Sequence, residues 1–268
     1  SKALISLGIP IMIGMLINAL YNLADAYFVS GLGESPMGAI SIVFPLGQVV
    51  VGLGLMFGNG AASYLSRLLG CGDKNTADTV ASTALYSSIL IGTVLIILTF
   101  IFLRPVLMLL GATETIMPYA LTYARIYILS CIFNVFNVTM NNIAASEGAA
   151  KTTMCALLSG AVINVGLDPL FIYTFHMGVA GAAIATAISQ FISTLVYLSY
   201  VLRKKSAFTF SIKSFSPTKQ IFAEILKIGI PTLTFQLLTS LSIALINRAA
   251  NGYGDAVIAG MGAVTRIT

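Results

Sequence analysis

Two acidic side chains, Asp25 and Asp168, lie inside long apolar runs of this sequence, and amides and hydroxyls recur near them at helical spacing. Asn18, Asn22 and Asp25 are spaced i, i+4, i+7, which on a helix makes one polar stripe. Asn164 and Asp168 are i, i+4, and so are Thr186 and Gln190. Asn134, Asn137 and Asn141 form a further stripe. A carboxylate near mid-membrane costs about 2.5–3.5 kcal/mol on insertion scales, so it belongs beside a cavity or a partner. Oxygens converging at one depth can hold Na⁺, or a proton carried on a carboxylate. The plainer account is hydrogen bonding that glues helices together, and it suits the asparagines taken alone. The two acids are expensive as glue and are read as functional.

Elements that could position such residues follow from composition. Of 268 residues, 57% are hydrophobic and 9% charged, whereas a soluble domain carries about 25% charged residues. A water-soluble globule is therefore excluded. A bilayer-length window gives seven spans, at 4–30, 37–66, 79–103, 117–144, 152–175, 179–202 and 220–247, and an eighth beginning near Asp255. Each complete run exceeds the roughly 9–11 residues of a transmembrane strand, so the fold class is all-α, a polytopic helical bundle. Breakers mark the connections: 31–36, 70–73, Arg104-Pro105 and 252–255. Three cysteines form no CxxC pair, and the single histidine, His176, falls in a loop and reads as a surface residue. The net charge of +5 follows from loop lysines and arginines and implies no nucleic acid.

Those loop charges orient the bundle. The N-terminus and the 2–3, 4–5 and 6–7 connections hold nine basic residues, and the opposite set holds only Arg104 and Arg248. The basic side, with the 203–219 loop, is expected in the cytoplasm. The basic residues of that loop obey the orientation rule, and they are also of a kind that binds anionic lipid. Gly8-Ile9-Pro10 recurs as Gly229-Ile230-Pro231, and Gly31-Leu32-Gly33-Glu34 as Gly252-Tyr253-Gly254-Asp255, both offset by 221 residues. The second copy starts after six spans, which makes a parallel repeat. The expected organisation is a six-helix lobe at 1–203, a basic linker at 204–219, and the start of a second lobe at 220–268. A protein of roughly twelve spans is expected, of which this is part.

Other residues carry two readings each. Pro10 and Pro231 are either tolerated membrane prolines or hinges, and their recurrence favours hinges. Gly54 and Gly58 form a GxxxG that reads as close helix packing. Tyr123 and Tyr127 either line a cavity for cationic ligands or belong to an interfacial belt. Arg125 either snorkels outward or neutralises a carboxylate. No phosphate-binding loop, HExxH or Gly-x-Ser-x-Gly occurs, so ATP-driven transport by this chain alone and enzymatic chemistry lack support. A channel is poorly served by an internal repeat, which suits alternating access.

At these residues the chain resembles the multidrug and toxic compound extrusion (MATE) family. The resemblance rests on Gly8-Ile9-Pro10, Asn22 to Asp25 with Gly31 and Gly33, Ser66 to Gly70 leading to Gly72-Asp73, Asn164 to Pro169, and Gly178 to Thr186. It implies two six-helix lobes around a central cavity, expelling organic cations in exchange for H⁺ or Na⁺, with no other cofactor. It also implies a monomeric multi-pass protein of the bacterial inner membrane. Position by position, it implies a cation-coupling cluster of Asp25, Asn164, Asp168 and Thr186, supported by Asn18, Asn22 and Gln190. It implies that span 1 bends at Pro10 when that cluster is occupied. Tyr123 and Asn141 fall where cavity residues are expected, and Tyr127 and Asn137 join them by spacing. Related lipid-linked sugar flippases would want an arginine-lined cavity, for which only Arg125 is a candidate. A non-transporting structural or sensor membrane protein would not need two acids at one depth.

Overall fold

Backbone amides placed in hydrocarbon must bond within their own segment, and the chain meets this demand with helices. The structure, a computed structural model, describes residues 12–14, 16, 17, 20 and 23–267, the last two as backbone alone. Pro10, Asn18 and Asn22 lie outside the described residues. The described helices are α1 (23–30), α2 (Glu34–Cys71), α3 (Lys74–Ile101), α4 (Leu103–Leu109), α5 (Met117–Ser146), α6 (Ala150–Pro169), α7 (Gly178–Leu202), α8 (Lys219–Asn251) and α9 (Asp255–Ile267). Among the described residues, α2, α3, α5, α6 with its continuation to Thr174, α7 and α8 are long and apolar enough to cross a membrane.

Helix α2 is the hub, packing against α3, α5, α8 and α9. Its glycines face two ways. Gly54 and Gly58 admit Val138 and Asn142 of α5, while Gly60 lies against the Ile225 carbonyl of α8 and Gly229 of α8 against the Met56 carbonyl. Each helix thus offers a glycine to the other's backbone, an approach that a Cβ at either position would block. Pro45, inside α2, has no N–H, so the Ser41 carbonyl one turn earlier loses its helical donor. Asn247 of α8 repairs the break: its Nδ2 donates to Ser41 O at 3.0 Å, and Ser240 Oγ donates to Pro45 O at 2.9 Å.

The 221-residue offset reappears in backbone geometry. Gly33 and Gly254 both adopt positive φ, 110° and 99°, immediately before Glu34 and Asp255, which open α2 and α9. The Asp255 carboxylate accepts from the hydroxyls of Ser35, Thr113 and Thr115 at 2.8, 2.9 and 2.6 Å, tying α9 to its surroundings at that end. At the opposite end Arg67 and Glu224 pair at 2.7 Å, linking α2 to α8. Pro231 sits at an exposed position within α8, which runs through it as one helix.

Three features depart from the expected layout. Arg104-Pro105 is no plain loop: the break falls at Phe102, and a short helix resumes, because a proline in a first turn has no helical partner to lose. The end of span 5 is π-helical, Leu170–Thr174, directly after Asp168-Pro169. The linker, for which the sequence names no contacts, is held against the bundle. Thr209 N–H donates to Asp78 at 2.9 Å, Ser211 N–H to Ser82 at 3.3 Å, and Ser216 N–H to Thr83 at 3.2 Å, while Phe208 is buried.

Candidate functional site

Spans 1 and 5 run parallel, and their contacts fix a register. A Cβ on Gly14 would stand 3.0 Å from Leu157 Cδ1, and farther along Tyr173 Oη donates to the Phe28 carbonyl. These pairs are offset by 143 (157 − 14) and 145 (173 − 28) residues. Asp25 and Asp168 differ by the same 143 (168 − 25), so they stand at one level on adjacent helices. Both are buried, at 5% and 0% exposure.

Span 6 completes the group by running antiparallel to span 5. Close contacts of Gly160 with Ser193 and of Gly181 with Phe171, and a bond from Ser193 Oγ to Ala156 O at 2.9 Å, draw α6 and α7 together. Asn164 is the bridge. With its amide turned as its neighbours require, Nδ2 donates to Asp168 Oδ2 at 2.8 Å and Oδ1 accepts from the Thr186 N–H at 3.3 Å. Pro169 removes a backbone donor from the next turn, and the chain continues as the π-helical segment, a distortion that recurs at functional sites.

The donor set is oxygen-rich and free of metal-type clusters. Among the described residues no three His, Cys, Asp or Glu gather where they could hold a metal ion. The one ion pair among them, Arg67–Glu224, lies at the other end of the bundle. Arg125 is exposed on α5 and pairs with no carboxylate among the described residues, so of its two readings the structure gives the outward one. What remains is two buried acids at one level, with the Asn164 amide and the Thr186 N–H beside Asp168, an arrangement suited to a proton or a small hard cation.

Beside this group lies a cavity of about 780 Å³ walled by α2, α5, α6 and α7, with Gly14 of span 1 and Thr265 of α9 at its edge. Tyr127, Asn137, Asn141, Gln190 and Thr186 line it. Tyr123, expected there, is buried behind the wall: at i−4 it stacks on the Tyr127 ring with centroids 5.5 Å apart, and Tyr127 alone faces the space. Asn137 also glues helices, donating to Gln190 O and Oε1 at 2.9 and 2.8 Å and accepting from Thr194 Oγ1 at 3.0 Å. Asn141 Nδ2 donates to Tyr197 Oη at 3.0 Å. Among the described residues, none that lines it carries a formal charge. Gln48, Asn59 and Asn142 are cavity residues that the sequence reading passed over. Gln48 and Asn59, eleven residues or about three turns apart, form the same kind of stripe as the asparagines of span 4. Thr186 belongs to both places, the acid group through its N–H and the cavity through its wall position.

A family profile described as MatE matches residues 10–170. The chain belongs to the MatE family. Over 267 residues it is 34% identical to the multidrug export protein MepA of Staphylococcus saprophyticus and 32% identical to that of Staphylococcus aureus, covering 99% of this chain and 59% of each relative. Among solved structures it is similar to an inward-facing multidrug resistance MATE family transporter, with TM-score 0.89, 34% identity, and 99% of this chain and 61% of that one covered. An outward-facing structure of such a transporter gives TM-score 0.86 at 32% identity, covering 99% and 62%. The chain spans about three fifths of the length of the MatE relatives it matches.

Proposed function

We propose that this chain is the first lobe, residues 1–203, the linker 204–219, and the start of the second lobe, 220–268, of a secondary active exporter of drugs. Its substrates are organic cations, moved by alternating access in exchange for H⁺ or Na⁺ bound at Asp25 and Asp168. One observation carries the reading: a line of contacts from the Asp168 carboxylate through Asn164 to Thr186 joins a buried acid to the wall of a cavity whose described lining is uncharged. The export names of the relatives support it.

The amide of Asn164 gives the coupling a physical form. While Asp168 is ionised, Asn164 turns its NH₂ to the carboxylate and its oxygen to the Thr186 N–H. A proton on Oδ2 meets that NH₂ donor to donor, and a cation at Oδ2 repels it, so either ion favours turning the amide. The turned amide presents NH₂ to the Thr186 N–H, weakening the hold of span 5 on span 6 at the cavity wall. Ion binding thereby disfavours the wall shape that drug binding favours, and by reciprocal linkage drug disfavours the ion. Bending of span 1 at Pro10, with Pro231 as its repeat partner, is the larger motion to which this local change would be linked.

The excess of basic residues puts the N-terminus and the 203–219 segment in the cytoplasm. The setting is the inner membrane of a bacterium; the protein acts as a monomer, as a transporter rather than an enzyme, with no cofactor beyond the coupling ion. The test uses the intact transporter in everted vesicles, with a fluorescent cation driven separately by a proton gradient and by a Na⁺ gradient. Transport in the wild type that is lost in Asp25→Asn and Asp168→Asn is expected. Uptake indifferent to both gradients, or to both substitutions, would remove the antiporter reading.

A further inference from the structure

We propose that the segment after α7 is a docking site for anionic phospholipid headgroups, built from Arg203, Lys204, Lys205 and Lys213. This goes beyond the transport reading and does not depend on what is exported. The four side chains are exposed, and among the described residues no salt bridge engages them. The carboxylates at the same end of the bundle are already committed. Asp73 caps Thr76 at 3.1 Å, Asp78 accepts from Thr209, Glu224 holds Arg67, and Glu147 accepts from Tyr200 Oη at 2.8 Å, Ser206 Oγ at 3.0 Å and Ala207 N–H at 2.6 Å. Two of these acids, Asp78 and Glu147, are used to fasten the segment that carries the cations.

Fastening fixes where the cations stand. Beyond the bonds to Asp78, Ser82, Thr83 and Glu147, the Phe215 ring meets Tyr86 edge-on at 6.2 Å. Lys204 occupies the left-handed region, φ 53°, a conformation that glycine or asparagine adopts at less cost. Its N–H closes on Val201 O at 2.9 Å and that of Lys205 on Tyr200 O at 3.2 Å, so the chain reverses within one turn of the end of α7. The reversal sets three consecutive cations at the membrane boundary, where the span has just ended. Two exposed apolar side chains adjoin these cations along the chain: Leu202, 77% exposed, before Arg203, and Ile212, 78% exposed, before Lys213. Apolar side chains next to a row of cations match a headgroup lying over acyl chains, with phosphate on the lysines and arginine and hydrocarbon on the leucine and isoleucine. A soluble anion would have no use for the apolar pair.

The test is native mass spectrometry of the intact transporter, titrated with phosphatidylglycerol and with phosphatidylcholine of the same acyl chains. The wild type is expected to prefer phosphatidylglycerol by about tenfold or more, as several cations at a surface imply. The variant Arg203→Gln/Lys204→Gln/Lys205→Gln/Lys213→Gln should lose most of that preference. A matched variant, Lys74→Gln/Lys151→Gln/Lys219→Gln/Lys227→Gln, removes the same charge outside the four proposed positions and should keep it. Equal loss in both variants would mean diffuse positive charge and would overturn the site, as would a wild type with no preference. Competition with inorganic phosphate separates the two sources of the anion: displacement of the lipid by phosphate would overturn the assignment to lipid. If the first variant fails to fold, Leu202→Ser/Ile212→Ser, which leaves every charge in place, serves instead. It should weaken phosphatidylglycerol retention, and unchanged retention would overturn the proposal.

Discussion

The neighbourhood of Asp168 and the cavity beside it are both polar places in an apolar bundle, yet they treat charge in opposite ways. The first buries two carboxylates at one level, with an amide and a backbone N–H as the neighbours that define it. The second is larger, opens chiefly among α2, α5, α6 and α7, and has no charged residue on its wall among the described residues. The cavity's amides are half spent: Asn137 and Asn141 bind α7 while facing the space. Under the proposed antiport, this separation means that ion and drug need not compete for one carboxylate. Their coupling would run through α7, which touches the acid group at the Thr186 N–H and walls the cavity from Thr186 to Tyr197.

The strongest way to break this comparison is to remove charge from one side alone. Asp168→Asn should abolish gradient-driven export, a fall of about 100-fold at the upper end of ordinary coupling energies, while a cationic drug still binds to the purified intact protein. Export assays paired with equilibrium binding check it. Drug binding lost together with export would mean that the acid and the cavity are one site. On the other side, Asn137→Leu deletes three interhelical bonds without touching the acids. At roughly 0.6 kcal/mol for a bond within a membrane, the loss is about 2 kcal/mol. Thermal unfolding in detergent should shift down, drug affinity should fall, and the pH or Na⁺ dependence of the remaining transport should be unchanged.

Much of this division can be read from sequence, and the rest resists for physical reasons. Apolar run length and breakers give the helices because a bilayer fixes how long a span must be. The i, i+4 stripes give Asn164 with Asp168 and Asn137 with Asn141, because helical spacing decides which side chains share a face. Which helix a stripe faces is a tertiary fact. Asn137 meeting Gln190 and Thr194 follows from how α5 and α7 pack, and no spacing reveals it. The placement of Tyr123 behind Tyr127 is of the same kind, since two residues one turn apart look equivalent in a stripe until a neighbouring helix covers one of them. The π-helical turn had a local sign in Asp168-Pro169, but a proline says only that the regular ladder breaks there, not how it is resumed.

The repair of Pro45 sharpens the contrast between glue and function, because Asn247 is a buried amide with a purely structural task. Asn247→Leu leaves the Ser41 carbonyl without a donor and should cost about 1 kcal/mol. In a Pro45→Ala background the backbone supplies its own donor, and the same substitution should cost much less. A double-mutant cycle on thermal unfolding reads the difference. Additive costs would show that Asn247 acts by packing alone.

The smallest expected effect tests a carboxylate outside both regions. Glu147 follows the end of α5 and binds the segment after α7 through Tyr200, Ser206 and Ala207. Burial pushes its carboxyl above the ordinary 4.5, and the hydrogen bonds from Tyr200, Ala207 and Ser206 offset only part of that. The folded protein therefore holds this proton more tightly than the unfolded chain does. The stability it contributes is complete below 4.5 and is lost as pH rises through the higher folded value. Since the group is partly open to solvent, the change should stay under about 1 kcal/mol. Amide exchange at Ala207 and Thr209, corrected for the intrinsic pH dependence, should quicken across that window in the wild type. Glu147→Gln retains a carbonyl acceptor but cannot titrate, so its profile should be flat. A slope that survives the substitution would assign the titration to another group, and Glu147 would then hold the segment without sensing pH, as the amides around the cavity hold α5 to α7.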